Sequence, residues 1–586
     1  MTANPTAAPA TRRNLKLAAP CGAHLLAAAL RRHGVDSLFG QSLPSALLLL
    51  APEFGIRQVA YRTENAGAAM ADGYARVSGM VGVVCAQNGP AATLLVPGLG
   101  EALKAAIPLV AIVQEVARAN TDRNAFQEID HVALFGGVAK WVRRVGHIGR
   151  IDDYVDMAFA AAAGGRPGPA VLLVPADLLE EPVPDGPATP ARTPPRRAAL
   201  GRYPLDRPVA DADAVDAAAG LLAGAGRPLV IAGGGVHSSG AAPALARLQE
   251  MAALPVATTT MGKGAVDEAH PLSVGVVGYF MGRRGMARHQ RALIEGADVV
   301  LLVGNRTNQN GTDGWTLYPP GARYIQIDID PQEVGRNYEA LRLVGDARAT
   351  LTALSEALER RDLERRRAAR DEVAAAIARG RAAHAEEAAP MTESDAAPIR
   401  PERLMAALDP RIDADTIVVA DASYASIWVA NYLRARAPGM RFLTPRGLAG
   451  LGWGLPMAIG AKIAHPDRRV VCLAGDGGFG HVWSELETVR RLGLDLTVMV
   501  LNNQILGYQQ HAEDLLFGDH TLACAFAAVD HAAIARACGG FGQRIQQPAE
   551  IGPALDAAFA RPGLTLLDIA TDPAAYPPVT LFDAIT

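Results

Sequence analysis

The sequence predicts an α/β fold made of three units, each a parallel sheet covered by helices. Short, almost wholly apolar runs alternate with helix-like segments along the chain, as expected where buried parallel strands are joined by crossover helices. The chain has 586 residues, half of them apolar, which suffices for three or four domains of about 150 residues each. We therefore expect several sheets in series and ample core material.

The first half of the chain divides into a tail, two sheet units and a linker. Residues 1–18 are rich in Ala, Pro and Thr, and they predict a disordered tail rather than a signal peptide. Residues 19–185 form the first unit, residues 186–207 a Pro-rich linker without periodicity, and residues 208–356 the second unit. The predicted strands of these units lie at 82–86, 108–113, 169–174, 228–231, 299–303 and 324–329.

The second half begins with a charged, Ala-rich helical stretch that we assign, within residues 357–399, to a solvated connecting helix and linker. Residues 400–573 form the third unit, and residues 574–586 form a C-terminal tail. In the third unit, apolar runs at 470–473 and 496–501 predict two buried strands, and residues 483–492 have helical spacing.

Bulk composition excludes several classes of partner. The formal net charge is −4 and the basic residues are dispersed, so neither nucleic acid nor a membrane surface is indicated. No apolar run approaches the ~18 to 20 residues that a membrane span requires. The five cysteines are odd in number and lack CxxC spacing, which favours a reducing cytoplasm. A small-molecule enzyme fits these properties.

The segment between the two predicted strands of the third unit carries the strongest chemical signal. Gly475-Asp476-Gly477-Gly478 forms a turn before a helix, where glycine N–H groups favour a diphosphate. The second strand ends at Asn502-Asn503. Asp476, Asn503 and a backbone carbonyl near Ile505 would meet the demand of Mg²⁺ for oxygen ligands. Either dipeptide alone would more often be an ordinary turn.

This segment resembles the thiamine diphosphate signature, and residues 447–456, GLAGLGWGLP, resemble the glycine-rich stretch that precedes it. The family is the acetohydroxyacid synthase and 2-oxoacid decarboxylase superfamily of thiamine diphosphate-dependent enzymes. The resemblance covers nearly the whole chain and implies pyrimidine-binding, central and diphosphate-binding domains, all of them doubly wound. It also implies a homodimer or homotetramer with active sites between subunits.

The resemblance assigns Glu64 to the catalytic position. Arg62-Thr63-Glu64 and Asp72-Gly73-Tyr74-Ala75-Arg76 resemble family segments in which a glutamate hydrogen-bonds the aminopyrimidine ring and starts carbanion formation. Read alone, a glutamate before a helix is usually a charge that complements the helix dipole. Thr63 stands where many relatives have His.

Other cofactor contacts follow from the same resemblance. Leu451 falls on the position of the apolar wedge between the cofactor rings, although it could equally be core packing. The residues expected to contact thiamine diphosphate are Gly89, Ser423, Tyr424, Gly450, Leu451, Gly475, Gly477 and Gly478.

The central unit resembles the nucleotide-binding domain of FAD- and ADP-containing relatives. Gly234 lies in a glycine-rich turn after a strand, Arg306 could pair with a pyrophosphate, and Asp328 at a strand end could hold a ribose or adenine edge. Related enzymes also keep this sheet and bind nothing, and Thr307, Asn308 and Gln309 replace the aspartates of flavin-binding relatives. The sequence leaves open whether FAD, ADP or neither binds.

The substrate pocket combines agreement with the synthases and departures from them. Phe126-Gln127-Glu128 and Lys140 match the synthase pattern, and Gln127 is expected to reach the active site. This implies acetolactate synthase-like chemistry, which is decarboxylation of a 2-oxoacid, ligation of the resulting enamine to a second carbonyl compound, or both.

Several residues depart from that pattern and add polar groups to the pocket. Gln41 replaces a synthase glycine-rich motif, Ala512 stands where synthases have Trp, and Tyr508 and Gln509 replace small or apolar residues. His511 is either a proton-transfer group or a structural histidine. We therefore predict a substrate other than a pair of pyruvate molecules.

Two alternatives to a 2-oxoacid carboligase stay open at this point. A 2-hydroxyacyl-CoA or oxalyl-CoA lyase would use ADP in the central domain, but its basic C-terminal lid is not evident in the last residues of the chain. A non-catalytic regulatory partner is disfavoured because Glu64, Asp476 and Asn503 are all retained.

Overall fold

The computed structural model describes residue 17 and residues 20–184 and 196–584. The predicted N-terminal tail, apart from Leu17, lies outside the described residues, and so do residues 186–195 of the predicted linker. Within the described part the strands form three sheets of six strands each, and every pairing between neighbouring strands is parallel. The predicted fold class is confirmed, whereas the domain limits remain a prediction.

The first sheet has the spatial order β2-β1-β3-β4-β6-β5. Its strands are β1 (Ser37–Gly40), β2 (Arg57–Val59), β3 (Gly82–Ala86), β4 (Leu109–Glu115), β5 (Trp141–Arg144) and β6 (Pro169–Pro175). The helices of this region are α1 (Gly22–Arg32), α2 (Ser45–Leu50), α3 (Glu64–Ser78), α4 (Pro90–Ala105), α5 (His131–Phe135), α6 (Ile151–Ala163) and α7 (Ala176–Glu180).

The second sheet has the order β12-β11-β10-β7-β8-β9. Its strands are β7 (Pro228–Ala232), β8 (Val256–Thr258), β9 (Ser273–Val276), β10 (Val299–Val303), β11 (Arg323–Asp328) and β12 (Ala340–Val344). Its helices are α8 (Ala212–Gly224), α9 (Gly235–Ser239), α10 (Ala242–Met251), α11 (Arg291–Glu295) and α12 (Ala347–Glu359). The predicted connecting helix is broken after Glu359 and continues as α13 (Glu364–Ala368) and α14 (Arg370–Thr392).

The third sheet has the order β14-β13-β15-β16-β18-β17. Its strands are β13 (Ile417–Ala420), β14 (Phe442–Leu443), β15 (Val470–Gly475), β16 (Leu496–Asn502), β17 (Phe541–Ile545) and β18 (Leu564–Ala570). Its helices are α15 (Pro401–Leu408), α16 (Tyr424–Tyr432), α17 (Gly454–Ala464), α18 (Asp476–Phe479), α19 (Glu485–Leu492), α20 (Gly507–Phe517), α21 (His531–Ala537) and α22 (Pro548–Ala560).

Helices α3 and α17 join the first and third sheets in one apolar core. A Cβ added at Gly460 would lie 1.9 Å from the Met70 carbonyl oxygen, and one added at Gly73 would lie 2.2 Å from the Met457 carbonyl oxygen. Only glycine permits this close backbone approach at either position. The contact places the helix that begins at Glu64 against the helix that follows the glycine-rich segment.

Candidate functional site

A cavity of about 480 Å³ lies at the carboxyl edge of the third sheet. In this sheet β14 lies on one side of β13 and β15 lies on the other. The direction in which strands are added therefore reverses between β13 and β15. Doubly wound sheets bind ligands at such a point. Among the described residues, those lining the cavity lie between Pro401 and Ala575, and they include Ser423, Tyr424, Leu451, Gly475, Asp476, Gly477, Gly478, Asn503 and Ile505.

Asp476 and Asn503 bring two oxygen-bearing side chains to this cavity. The Asp476 carboxylate accepts the backbone N–H of Gln504 at 2.8 Å, and the Asn503 amide oxygen accepts the N–H of Ile505 at 3.3 Å. Burial raises the pKa of Asp476 to about 6, and this carboxylate forms no ion pair with any described residue. A buried carboxylate without a cationic partner fits a divalent cation.

The glycine turn after β15 is a single helical turn, α18, rather than the simple turn that we predicted. A Cβ at Gly477 would lie 2.9 Å from side-chain atoms of Leu506 and Phe526, and one at Gly478 would lie 2.2 Å from Asp421 Oδ2. A Cβ at Gly475 would meet open space. Within this turn, a side chain at position 477 or 478 would therefore displace Leu506, Phe526 or Asp421.

The loop after β13 completes the cradle for a diphosphate. Ser423 has φ 64° and directly precedes α16, whose first residue is Tyr424. Both residues line the cavity, so the free N–H groups at the start of this nine-residue helix favour an anion there. The two helix starts, α16 and α18, fit the phosphate groups of thiamine diphosphate.

Asp421 was missed as a functional candidate, and it holds the glycine-rich turn. Its buried carboxylate accepts backbone N–H groups from Gly452 at 2.9 Å, Trp453 at 3.1 Å and Gly454 at 3.1 Å. Leu451, next to this turn, lines the cavity. Gly450 does not line it, and a Cβ there would lie 2.6 Å from the Trp453 ring. The sequence gives no signal for these contacts because they depend on tertiary packing.

Four predicted active-site residues lie at the carboxyl edge of the first sheet, away from the cavity within the same chain. These residues are Glu64, Gln41, Gly89 and Gln127, and none of them lines the cavity in the third sheet.

Glu64 is buried and begins α3, with Thr63 as the N-cap that accepts the Ala66 N–H at 3.4 Å. Glu485, which the sequence did not single out, accepts the backbone N–H of Arg62 at 2.9 Å. This contact links the N-terminus of α3 to helix α19 of the third-sheet region.

His511 stands behind the cavity wall rather than in it. Its Nδ1 lies 2.6 Å from Tyr424 Oη, and its Nε2 lies 2.9 Å from the Pro573 carbonyl oxygen. Burial lowers the pKa of His511. Tyr508, one turn earlier in α20, does line the cavity, and its hydroxyl is hydrogen-bonded to that of Tyr279 from the second sheet region.

A second cavity, of about 140 Å³, lies at the carboxyl edge of the second sheet and collects Gly234, Arg306 and Asp328. Burial raises the pKa of Asp328 to about 6 and lowers the pKa of Arg306. The Arg306 guanidinium forms no hydrogen bond or ion pair with a described residue. An unpartnered, half-buried guanidinium fits an anionic group such as a pyrophosphate.

No helix in the described part of the chain combines the length and apolar character needed to cross a membrane.

Comparison with known families gives a match for each of the three sheet regions. Residues 21–134 match the N-terminal TPP binding domain of thiamine pyrophosphate enzymes, residues 215–354 match the central domain, and residues 421–569 match the C-terminal TPP binding domain.

Relatives match the chain over most of its length. It is 33% identical over 575 residues to a probable acetolactate synthase large subunit of Methanococcus aeolicus, covering 94% of this chain and 92% of the relative. It is 35% identical over 562 residues to the acetolactate synthase large subunit of Parasynechococcus marenigrum, covering 94% and 87%. It is 32% identical over 558 residues to acetolactate synthase isozyme 2 large subunit of Escherichia coli, covering 94% and 95%. The chain therefore belongs to the acetolactate synthase family of thiamine pyrophosphate enzymes.

Proposed function

We propose that this chain is a thiamine diphosphate- and Mg²⁺-dependent enzyme that decarboxylates a 2-oxoacid and ligates the remaining fragment to a second carbonyl compound. The observation that carries the proposal is the buried Asp476 carboxylate, which has no cationic partner among the described residues and lines the same cavity as Asn503, beside two helix starts. When bound, thiamine diphosphate supplies a carbon nucleophile that also stabilises the carbanion left by loss of CO₂.

Each residue then has a task that its position supports. Asp476, the Asn503 amide oxygen and the Ile505 carbonyl would hold Mg²⁺. The N–H groups of Gly477 and Gly478 and the start of α16 would hold the diphosphate. Leu451 would wedge between the cofactor rings, and Glu64 would hold a proton at the aminopyrimidine.

We propose a substrate other than a pair of pyruvate molecules. Tyr508 and Gln509 line the cavity, and the Tyr508 hydroxyl is fixed by Tyr279. None of the described residues that line this cavity is Lys, Arg or His, so Tyr508 and Gln509 offer a substrate uncharged hydrogen-bond donors. The acetolactate synthase relatives favour carboligation over the acyl-CoA lyase alternative.

We propose that two chains, as a homodimer or within a homotetramer, build each active site. The proposal is supported by the position of Glu64 and Gln127, which lie outside the cavity of their own chain and which a second chain would bring to it. Large apolar side chains are exposed on both surfaces that would meet, namely Phe126, Ile129 and Val132 near Gln127, and Leu448, Trp483 and Phe526 in the third-sheet region. Such exposed apolar groups are typical of an interface.

We propose that the central cavity binds an adenine nucleotide, either FAD or ADP, and the support is the Arg306 guanidinium, which has no partner among the described residues and lines this cavity together with Gly234. A cytoplasmic location is also proposed, and the five cysteines, none of which is in a disulfide, support it.

The deciding experiment is CO₂ release across a panel of 2-oxoacids, with thiamine diphosphate and Mg²⁺ present or withheld, and with products identified by mass spectrometry. We expect cofactor-dependent release together with a hydroxyketone product. Bound cofactor with no CO₂ from any 2-oxoacid would contradict the proposal and direct attention to acyl-CoA substrates.

A further inference from the structure

A chain of hydrogen bonds runs from the exposed Arg144 side chain along the carboxyl edge of the first sheet and ends on Gly89. Arg144, at the end of β5, binds the Glu115 carboxylate at the end of β4 through its Nε and, at 2.8 Å, its Nη2. Glu115 Oε1 lies 3.2 Å from His131 Nδ1. The backbone N–H of Gly89 donates to His131 Nε2 at 3.0 Å. His131 and Glu115 are both buried.

These contacts define the tautomer of His131. Because Nε2 accepts a hydrogen bond from Gly89, it carries no proton, and Nδ1 must then carry the proton that is donated to Glu115. Burial alone would raise the pKa of Glu115, but the hydrogen bonds from Arg144 and His131 outweigh it and hold this pKa below its ordinary value. Glu115 is thus a charged acceptor that orients the imidazole.

The Gly89 turn interlocks with the residue that we expect to reach the substrate. Gly89 and Gln127 both have positive φ, 63° and 62°. A Cβ at Gly89 would lie 2.6 Å from the Gln127 carbonyl oxygen. Asn88 Nδ2 donates to the Phe126 carbonyl oxygen at 3.2 Å, and Gln87 Nε2 donates to the Gln127 side chain. The two turns are therefore packed and hydrogen-bonded together, and the Gly89 N–H joins them to His131.

We propose that His131 is a positioning residue of the active site, which fixes the Gly89 turn and, through it, the Gln127 side chain. Among the described residues, no group other than His131 accepts the Gly89 N–H, so loss of the imidazole acceptor releases the turn. The inference rests on the proposed function because it assigns Gln127 to the substrate side of the thiamine site.

The first test compares His131→Phe, which removes the acceptor, with His131→Gln, whose amide oxygen can take the place of Nε2. His131→Ala replaces the Phe variant if the larger ring prevents folding. We expect His131→Phe to lower kcat/KM about tenfold or more, since a buried donor is left unpaired, and His131→Gln to recover most of the loss. In a Gln127→Ala background, His131→Phe should cause little further loss.

The chain offers a matched control in His33. This histidine is also buried, accepts a backbone N–H, from Leu200 at 2.9 Å, and lies 2.9 Å from a carboxylate, that of Asp156. His33→Phe should reduce thermal stability and leave kcat/KM unchanged. Equal losses of kcat/KM in the His33 and His131 variants, or additive losses with Gln127→Ala, would overturn the positioning role.

Hydrogen–deuterium exchange decides the inference even without a known substrate. We expect peptides covering residues 87–89 and 126–128 to exchange at least several-fold faster in His131→Phe, and not in His33→Phe. Unchanged exchange at both peptides would overturn the inference. If the wild-type protein released no CO₂ from any 2-oxoacid, the proposed function would fail, while the exchange result would still decide the role of His131.

Discussion

The carboxylate of Asp421, at the end of β13, accepts the backbone N–H of Gly452 at 2.9 Å and so holds the turn that carries Leu451. Burial raises the pKa of Asp421, and the backbone N–H groups of residues 422 and 452–454 oppose that shift. The same carboxylate occupies the space beside Gly478. The Asp421 side chain therefore links the glycine turn at residues 475–478 to the turn that carries Leu451.

We expect Asp421→Asn to weaken both stability and cofactor binding. A carboxamide has a single acceptor oxygen, so at least one buried N–H group of residues 452–454 loses its partner, a loss of about 1–3 kcal/mol in the free energy of unfolding. Thermal unfolding and a thiamine diphosphate titration, followed by fluorescence, measure the two effects. Asp409→Asn, at a buried carboxylate bound to Arg434, should lower stability alone. An unchanged cofactor affinity in Asp421→Asn would contradict the prediction.

Asp476→Asn should abolish the Mg²⁺ dependence of thiamine diphosphate binding. The substitution removes the only carboxylate of the proposed ligand set, and the remaining amide and carbonyl oxygens bind Mg²⁺ weakly. We expect the affinity for the cofactor to fall at least tenfold and to respond little to EDTA. Asp467→Asn, at an exposed acid of the same region, should behave as wild type. Full Mg²⁺ dependence in Asp476→Asn would remove this residue from the ligand set.

Glu64→Gln should stop turnover and leave cofactor binding intact. The amide keeps the size and burial of the side chain but cannot supply or take up the proton at the aminopyrimidine. We expect a loss of about 10²-fold or more in kcat, in the range of general acid–base catalysis. The exchange rate of the cofactor C2 proton, followed by NMR, reports the step directly. Retained turnover would refute the assignment.

The strands were predictable because each is a local pattern. The observed β3 and β10 match the predicted ranges 82–86 and 299–303, since a parallel strand buried on both faces is a continuous apolar run. The residues that follow such strands, Asp476 and Asn503, were predictable for the same reason. Parallel strands place their carboxyl ends at one edge, so residues far apart in sequence meet there.

The contacts that organise the site were not predictable, because they join segments whose packing no local pattern specifies. Asp421 reaches Gly452 across 31 positions, and Glu485 reaches Arg62 across 423 positions. His511 shows the same limit within one helix. Its spacing from Tyr508 indicates a shared face, yet Tyr508 lines the cavity and His511 does not, because His511 is hydrogen-bonded to Tyr424, which lines the cavity itself.

Arg306→Gln should reduce nucleotide binding in the central cavity. The guanidinium has no partner among the described residues, so a bound pyrophosphate would gain a charge-assisted pair that the amide cannot supply. We expect the affinity for FAD or ADP, measured by calorimetry, to fall about tenfold or more. Arg336→Gln, at a neighbouring arginine paired with Glu333, should bind as wild type does. Equal affinities in wild type and Arg306→Gln would separate Arg306 from the nucleotide.

Buried His33 should make the protein less stable as the pH falls from about 6.5 to 4. Burial, with a smaller effect of Arg32, lowers the pKa of His33 to about 4, against the attraction of Asp156. The unfolded chain, with a histidine pKa of about 6.5, binds a proton in this interval that the folded chain does not. Stability from this group is therefore complete above pH 6.5 and is lost by up to about 3 kcal/mol toward pH 4.

The His33→Phe variant isolates this contribution from the other groups that titrate in the same interval. We expect the melting temperature of the wild type to exceed that of the variant by a margin that is largest above pH 6.5 and shrinks toward pH 4. If the margin is constant across this range, His33 binds protons equally in the folded and the unfolded chain. In that case the attraction of the Asp156 carboxylate would offset the cost of burying a charged imidazole.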